Sequence, residues 1–403
     1  MAFRIAVSGL KGAATDLDVT GNNIANSNTI GFKGARAEFA DVYAASNLGT
    51  VREGIGQGVK TAAISQQFAQ GNISFTENDL DLAINGQGFF MLQEPDGNRV
   101  YSRAGAFGVD KDSFIVNSVG QRLVGFQANN GAVTKALGPI QLSRSNMSPR
   151  ATTAVVVDVN LDAAASVPTT AFDPIDPSTY NYSTSTSVYD ALGEEHLATI
   201  YFRKTASNVW DTHIQLDQQA PAAEPSLTFD ANGRLDAATL AALPFSGTFD
   251  PGNGANLMDI TFNFTASTQF GADSGVNSLQ QDGYTTGRLS GLDIDEEGLV
   301  VARYTNGQFL AQGQVALANF SNPQGLQPLG DTGWAETHTS GVALMGAPGS
   351  ASLGLLQSGA LEESNVDLAE QLVNMIVAQR NFQANAQMIR AEDEITQTII
   401  NIR

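Results

Sequence analysis

The sequence predicts a mixed fold: a terminal α-helical coiled coil joined to mainly-β domains, barrel- or sandwich-like, inserted one within another. Three observations predict it. Both chain ends carry apolar residues stepped by four and three, the period of a helix seam. The stretches from about residue 80 to 127 and around residue 300 alternate apolar and polar in short runs broken by turn residues, the pattern of strands. Between those flanks lies an acidic, Thr/Ser/Pro-rich block, as expected for one β-domain inserted in a loop of another.

At the N-terminus Phe3, Val7, Leu10, Ala14, Leu17, Gly21 and Ile24 fall on one stripe, with no breaker but glycine before Asn22. A lone helix of this length is marginal in water, so its apolar edge needs a partner. The C-terminal run from Val366 to Arg403 lacks glycine and proline and supplies one. Leu368, Leu372, Met375, Gln379, Phe382, Ala386 and Ile389 repeat the stepping, and the stripe then shifts to Ile395, Ile399 and Ile402. Asn365 is the expected cap, with Asp367 in the first turn, where the helix dipole favours an anion. Val373, Ile376 and Val377 widen the stripe beyond what one partner helix covers.

Between helix and strands stands "ANSNTIGFKGARAEF", residues 25–39. Asn and Gly tolerate left-handed backbone, and Asn and Ser satisfy free helix-end groups. The segment reads as a helix end followed by a loop. Turn pairs at Asn85-Gly86, Asp96-Gly97 and Val119-Gly120 divide the strands that follow. The expected division is 1–24 with 362–403 as a helical coiled-coil domain, and 25–71 with 350–361 as a joint. Residues 72–146 with 281–349 form an inner β-domain, and 147–280 an outer acidic β-domain.

The 403 residues are 42% hydrophobic, carry a formal charge of −20 and contain no cysteine. Disulfides, thiolate catalysis and Cys-type zinc sites are thereby excluded. The charge repels nucleic acid and anionic lipid, and no apolar run reaches the ~18 residues of a membrane span. From Ala151 to Asp282 there are sixteen acidic and three basic residues, so this block carries most of the net charge and is expected to face solvent. The start lacks the basic-then-apolar layout of a secretory signal.

A search for chemistry finds no catalytic, cofactor or metal constellation. His196, His213 and His338 are far apart in sequence and show no metal spacing. The glycines of Gly54–Lys60 lack a phosphate-loop lysine. "DIDEEG" (Asp293–Gly298) resembles the start of a calcium loop but has Tyr304 where the closing glutamate belongs, so a hairpin turn is the expectation.

The ends also carry a resemblance. "SGLKGAATDLDVTGNNIANSNTIGFKGARAEFAD" and "SNVDLAEQLVNMIVAQRNFQANAQMIRAEDEITQTIINIR" resemble the terminal motifs of the bacterial flagellar rod and hook proteins. "LAINGQGFFML" with "YSRAGAFGVD" looks like the β-domain of the longer members. Phe382 stands where that family often has tyrosine, which keeps the ring and loses a hydroxyl. The long inserted block fits the hook members better than the distal rod. A different class of reading is an extracellular acidic β-rich adhesin or enzyme.

The resemblance implies a structural subunit, without cofactor, that polymerises with itself into a flexible, torque-transmitting helical tube outside the cell. It implies export through the flagellar type III apparatus without a cleaved signal. The implied partners are the hook cap, distal rod, hook–filament junction and hook-length control proteins, with no nucleic acid and no membrane insertion. Phe3, Val7, Leu10, Leu17, Ile24, Leu368, Leu372, Met375, Phe382 and Ile389 would pack subunits. Asn22, Asn23, Asn26, Gly31, Phe32 and Lys33 would form the joint. The terminal helices are expected to order only on assembly.

Overall fold

The computed structural model describes residues 2–42 and 56–401. Ile402 of the expected stripe and the first glycine of Gly54–Lys60 lie outside them. The chain forms two compact units. One comprises Met1–Arg144, Gly291–Arg303 and Phe309–Arg403; the other comprises Ser145–Ser290 and Tyr304–Gln308. The second is an insertion in the first along the chain.

The first unit holds helices at Ala2–Ala25 and Leu368–Asn401, which pack on each other, and a many-stranded sheet. Its central strand, Phe89–Gln93, shows why the sheet is covered on both faces. The sequence FFMLQ is apolar at successive positions, and successive side chains point to opposite faces. Phe90 and Leu92 enter one core with Leu82, Ile84, Ile115 and Val315. Phe89 and Met91 enter another with Tyr101, Phe320 and Trp334. Edge-to-face ring pairs fill both, among them Phe90–Phe107 at 5.3 Å and Tyr101–Phe320 at 4.8 Å.

The expected turns fall between strands, with positive φ at Gly86, Gly97 and Gly120. Two chain passages connect helices and sheet side by side. Leu82–Asn85 pairs antiparallel with Leu355–Ser358, and Ile73–Phe75 pairs with Ala360–Glu362. The segment read as joint holds more order than expected. Ala35–Asp41 and Val59–Gln66 form an antiparallel hairpin that lies against the N-terminal helix, where Phe39 and Val59 approach Gly12.

The second unit is a sandwich of a four-stranded and a five-stranded sheet around one core. The strand Ala154–Asp162 alternates strictly: Val155, Val157, Val159 and Leu161 are fully buried, and the residues between them lie nearer solvent. Trp210 fills the centre and donates its indole N–H to Gln269 at 2.9 Å, which satisfies the only polar atom of a buried ring.

His196 is buried beside two carboxylates in this unit. Nδ1 lies 2.8 Å from Asp217, and Nε2 lies 3.6 Å from Asp190. Burial disfavours its charged form, but the hydrogen bonds and charges of Asp217 and Asp190 outweigh burial and hold its pKa above the ordinary value. Burial likewise opposes ionisation of both acids. Asp190 is nonetheless held low by Asn253, the amides of Leu192 and Glu194, and His196. Asp217 is held low by His196 and the Leu197 amide.

A raised histidine pKa contributes stability that is complete below the unfolded value, about 6.5, and is lost as pH rises through the folded value. The melting temperature of the second unit should therefore fall as pH rises above about 6.5. In His196→Gln this slope should flatten. Equal slopes in calorimetric scans of the two proteins would show that His196 is not the responsible group.

Candidate assembly surface and joint

The two terminal helices pair within one chain, along only part of the expected stripes. The N-terminal helix buries Ala6, Ala13, Val19, Thr20 and Asn23, while Val7, Leu10, Leu17 and Ile24 are only half-buried and Phe3 is exposed. In the C-terminal helix Ala378 is buried and Met375, Phe382 and Ile389 are half-buried. Leu368 and Leu372 face outward, together with Val373, Ile376 and Val377. The reading of Leu368 and Leu372 as part of a seam with the N-terminal helix is thus corrected for the single chain.

The physical reason is close approach. A Cβ on Gly9 would stand 2.4 Å from the Asn385 side chain, so small residues define the shared face. The pair is also polar. Asn23 donates to Gln371 at 3.2 Å and exchanges two hydrogen bonds with the backbone of Ala35 at 2.8 and 2.9 Å. A large apolar face on the C-terminal helix is left without a partner among the described residues.

The cap of that helix also differs from expectation. Asp367, not Asn365, accepts from the free amides of Ala369 and Glu370 at 2.8 and 3.2 Å. Asn365 instead ties three segments: it accepts from Gly34 at 2.8 Å and donates to the carbonyls of Gln67 and Ala69.

The joint centres on a buried ion triad. Glu362 is fully buried. Its Oε1 meets Lys33 at 2.5 Å and the Gly71 amide at 2.9 Å, and its Oε2 meets Arg103 at 3.0 Å. The second donors are used as well, Lys33 to the Ala69 carbonyl and Arg103 to the Gly86 carbonyl, both at 2.8 Å. Burial lowers the Lys33 pKa, and the carboxylate partly restores it. Sequence reading placed Lys33 in the joint but missed Arg103 and Glu362.

The other joint residues sit around this centre. Asn26 donates to the backbone and side chain of Asn22 at 3.0 Å and accepts from Thr29 at 3.1 Å, continuing the helix end as a turn. Gly31 has φ +68°, and its amide donates to the Glu362 carbonyl at 2.8 Å. A Cβ there would lie 2.4 Å from the Ala104 nitrogen, so only glycine fits. Phe32 is half-buried against a cavity of about 600 Å³ that Ile30, Val119 and Trp334 also line.

Three residues weighed for chemistry, Asp293, Asp295 and His213, make turn, ion-pair and ring contacts. Asp295 accepts from Leu299 and closes the turn to Gly298, and Asp293 lies 3.5 Å from Arg303. His213 stacks on Phe172 with ring centres 3.9 Å apart. Among the described residues no group of three or more His, Asp or Glu is placed to hold a metal ion.

Family models match along the chain: "Flagella basal body rod protein" over residues 3–33, "Flagellar hook protein FlgE/F/G D1 domain" over 83–165, "Flagellar basal body protein FlaE D2 domain" over 160–284 and "Flagellar basal body rod FlgEFG protein C-terminal" over 357–402. The chain is 42% identical over 416 residues to the flagellar hook protein FlgE of Salmonella typhimurium, covering 100% of both chains. It is 41% identical to that of Escherichia coli, again covering 100% of both. It is 34% identical to that of Borreliella burgdorferi, covering 98% of each. The crystal structure of Helicobacter pylori flagellar hook protein FlgE2 shares the fold, with a TM-score of 0.55 at 16% identity over 72% of this chain and 100% of that one.

Removing Glu362 leaves two buried cations without their anion, a loss of about 3–5 kcal/mol. Glu362→Gln should lower the urea midpoint of the first unit and leave that of the second unchanged. An unaltered first transition would show that the triad contributes nothing net.

Proposed function

The chain belongs to the flagellar hook protein family, and on that premise we propose how its parts divide the work of a hook subunit. It is a structural subunit of the bacterial flagellar hook. Residues 1–24 and 362–403 line the inner wall of a helical tube. Residues 25–71 and 350–361 set the angle between that wall and the β-domains. Residues 72–146 with 281–349 form a middle layer, and the acidic block 147–280 forms the outermost one.

The observation that carries this reading is the uncovered apolar face of the C-terminal helix. Leu372, Val373, Ile376 and Val377 are about half exposed in the single chain. Full burial of such a side chain from full exposure is worth roughly 1.5–3 kcal/mol, so covering the remaining half contributes about half of that, and a neighbouring subunit supplies that burial. The seam within the chain is small and polar, so its own stabilisation is slight and ordering is completed by neighbours.

The tube grows through heterologous, open-ended contacts, transmits torque while bending, and stands outside the cell after export through the type III apparatus. The hook cap, distal rod, hook–filament junction and hook-length control proteins are its neighbours in assembly. No catalytic step is assigned to it. The distal-rod reading is the weaker one, because full-length relatives at 42% identity are hook proteins.

Leu372→Asp and Ile376→Asp should leave the monomer's circular dichroism unchanged, because both positions are solvent-accessible in the single chain. They should abolish tubes in electron micrographs, since an unpaired carboxylate resists burial. Normal tubes from both variants would refute the packing role of this face.

Removal of residues 147–280 with a short linker should leave tube formation intact and change curvature. A folded deletion protein that forms no tubes would place the acidic block in the assembly core.

A further inference from the structure

Two charges on the terminal helices are without a partner among the described residues. The first is the carboxylate of Asp16. Asp16 and Phe39 line both of two adjoining cavities, of about 430 and 260 Å³, between the N-terminal helix, the C-terminal helix and the hairpin, all within the first unit. Asp16 is half-buried, and among the described residues it accepts no hydrogen bond and meets no cation. Loss of water alone holds its pKa above the ordinary carboxylate value. Arg36 lines the larger cavity as well, but it is paired with Glu38 at 3.1 Å. An open carboxylate beside an aromatic ring suits a guanidinium, which pairs with the one and stacks on the other. Phe39 is 42% exposed and still offers ring surface. Val19 and Val59 line the same groove and suit the aliphatic stem of an arginine.

The second is the guanidinium of Arg380, which stands in the uncovered apolar face of the C-terminal helix. Val373, Val377, Arg380, Ala384 and Met388 step by four and three along one side, Ile376 lies beside them, and all six are exposed. Arg390, the other arginine of this helix, is off that line. Among the described residues Arg380 makes no ion pair, with Asp16 of its own chain or with any other acid. A neighbour that covers Val373, Ile376 and Val377 takes Arg380 out of water too. A desolvated guanidinium is costly unless an anion meets it, so the covering surface must supply a carboxylate.

We propose that the groove at Asp16 and Phe39 receives Arg380 of a second copy of this chain. The inference rests on the polymerisation reading above and adds the charge pair that sets the register of one C-terminal helix on the next subunit. A charge on one subunit and its opposite on the next make a heterologous contact, the kind that continues into an open polymer.

Val377 borders the groove in its own chain, so the rival occupant is Arg380 of the same chain. A charge exchange separates the two. Asp16→Arg and Arg380→Asp are prepared singly and together in one chain, and circular dichroism checks each fold. Each single variant sets like charges against each other between copies and should raise the critical concentration for polymerisation about tenfold or more. The doubly substituted chain should assemble near the unsubstituted concentration. An equimolar mixture of the two single variants should do the same, since each finds its opposite charge on the other protein.

Rescue in the double chain but not in the mixture would overturn the proposal in favour of a pair within one chain. Single variants that assemble at the unsubstituted concentration, or a loss that neither form rescues, would also overturn it. Where Asp16→Arg disturbs the fold, Asp16→Asn and Arg380→Gln test the same pair. Their combined loss should match either loss alone, and additive losses count against the contact. Failure of the unsubstituted protein to form any tube is a separate result: it removes the polymerisation reading itself and the inference with it.

Discussion

The buried carboxylate of Glu362 is the constraint on which the first unit depends. A charge taken out of water is costly unless it is paired and fully hydrogen-bonded. Here two cations and a backbone amide meet it, and each cation spends a further donor on a carbonyl. The partners come from the turn after the N-terminal helix (Lys33), the strand end before Ala104 (Arg103) and the loop before Ile73–Phe75 (Gly71), and they meet the carboxylate on the return strand toward the C-terminal helix. A packing that separates these segments leaves the carboxylate short of partners, so the charge favours the observed meeting of the helix ends with the sheet. Gly31 completes the constraint, since its positive φ and its contact with Ala104 permit no side chain.

With the helix ends fixed, the division of apolar surface follows. The helices meet through Ala6, Gly9, Ala13, Ala378 and a polar Asn23–Gln371 contact. Close backbone approach needs small residues, and small residues bury little area. The large apolar side chains are therefore displaced to the outside. This is the reverse of a helix that serves only its own core, where the widest apolar face turns inward.

That reversal explains how much of the site was legible in sequence. The helices, their seven-residue period and the alternating strands could all be read, because periodicity records which side chains share a face. Which end of the stripe meets which partner could not be read: Met375 and Phe382 of the expected stripe turn toward the inner face with Gln371 and Ala378, while Leu368 and Leu372 of the same stripe face outward. Lys33, Arg103 and Glu362 left no local signal. Single charged residues in a polar stretch look like solvated ones, and pairing across hundreds of residues has no pattern in a window. Asn365 and Asp367 both read as end residues, and only their hydrogen bonds in the fold separate the cap from the tie.

Sequence distance gives the triad a consequence in time. Lys33 and Glu362 are 329 positions apart, and the strand that carries Glu362 lies just before the final helix. An N-terminal portion of the chain, however long, that stops short of residue 362 must either leave Lys33 in water or bury it unpaired. Burial alone already lowers its pKa, so the unpaired arrangement is the disfavoured one. Contacts of such separation also form late, after the chain between them has been restricted. The inserted sandwich has its own core and can settle first. Closure of the joint therefore requires both ends of the chain, and the geometry that presents the outer face of the C-terminal helix depends on Lys33 and Glu362 together.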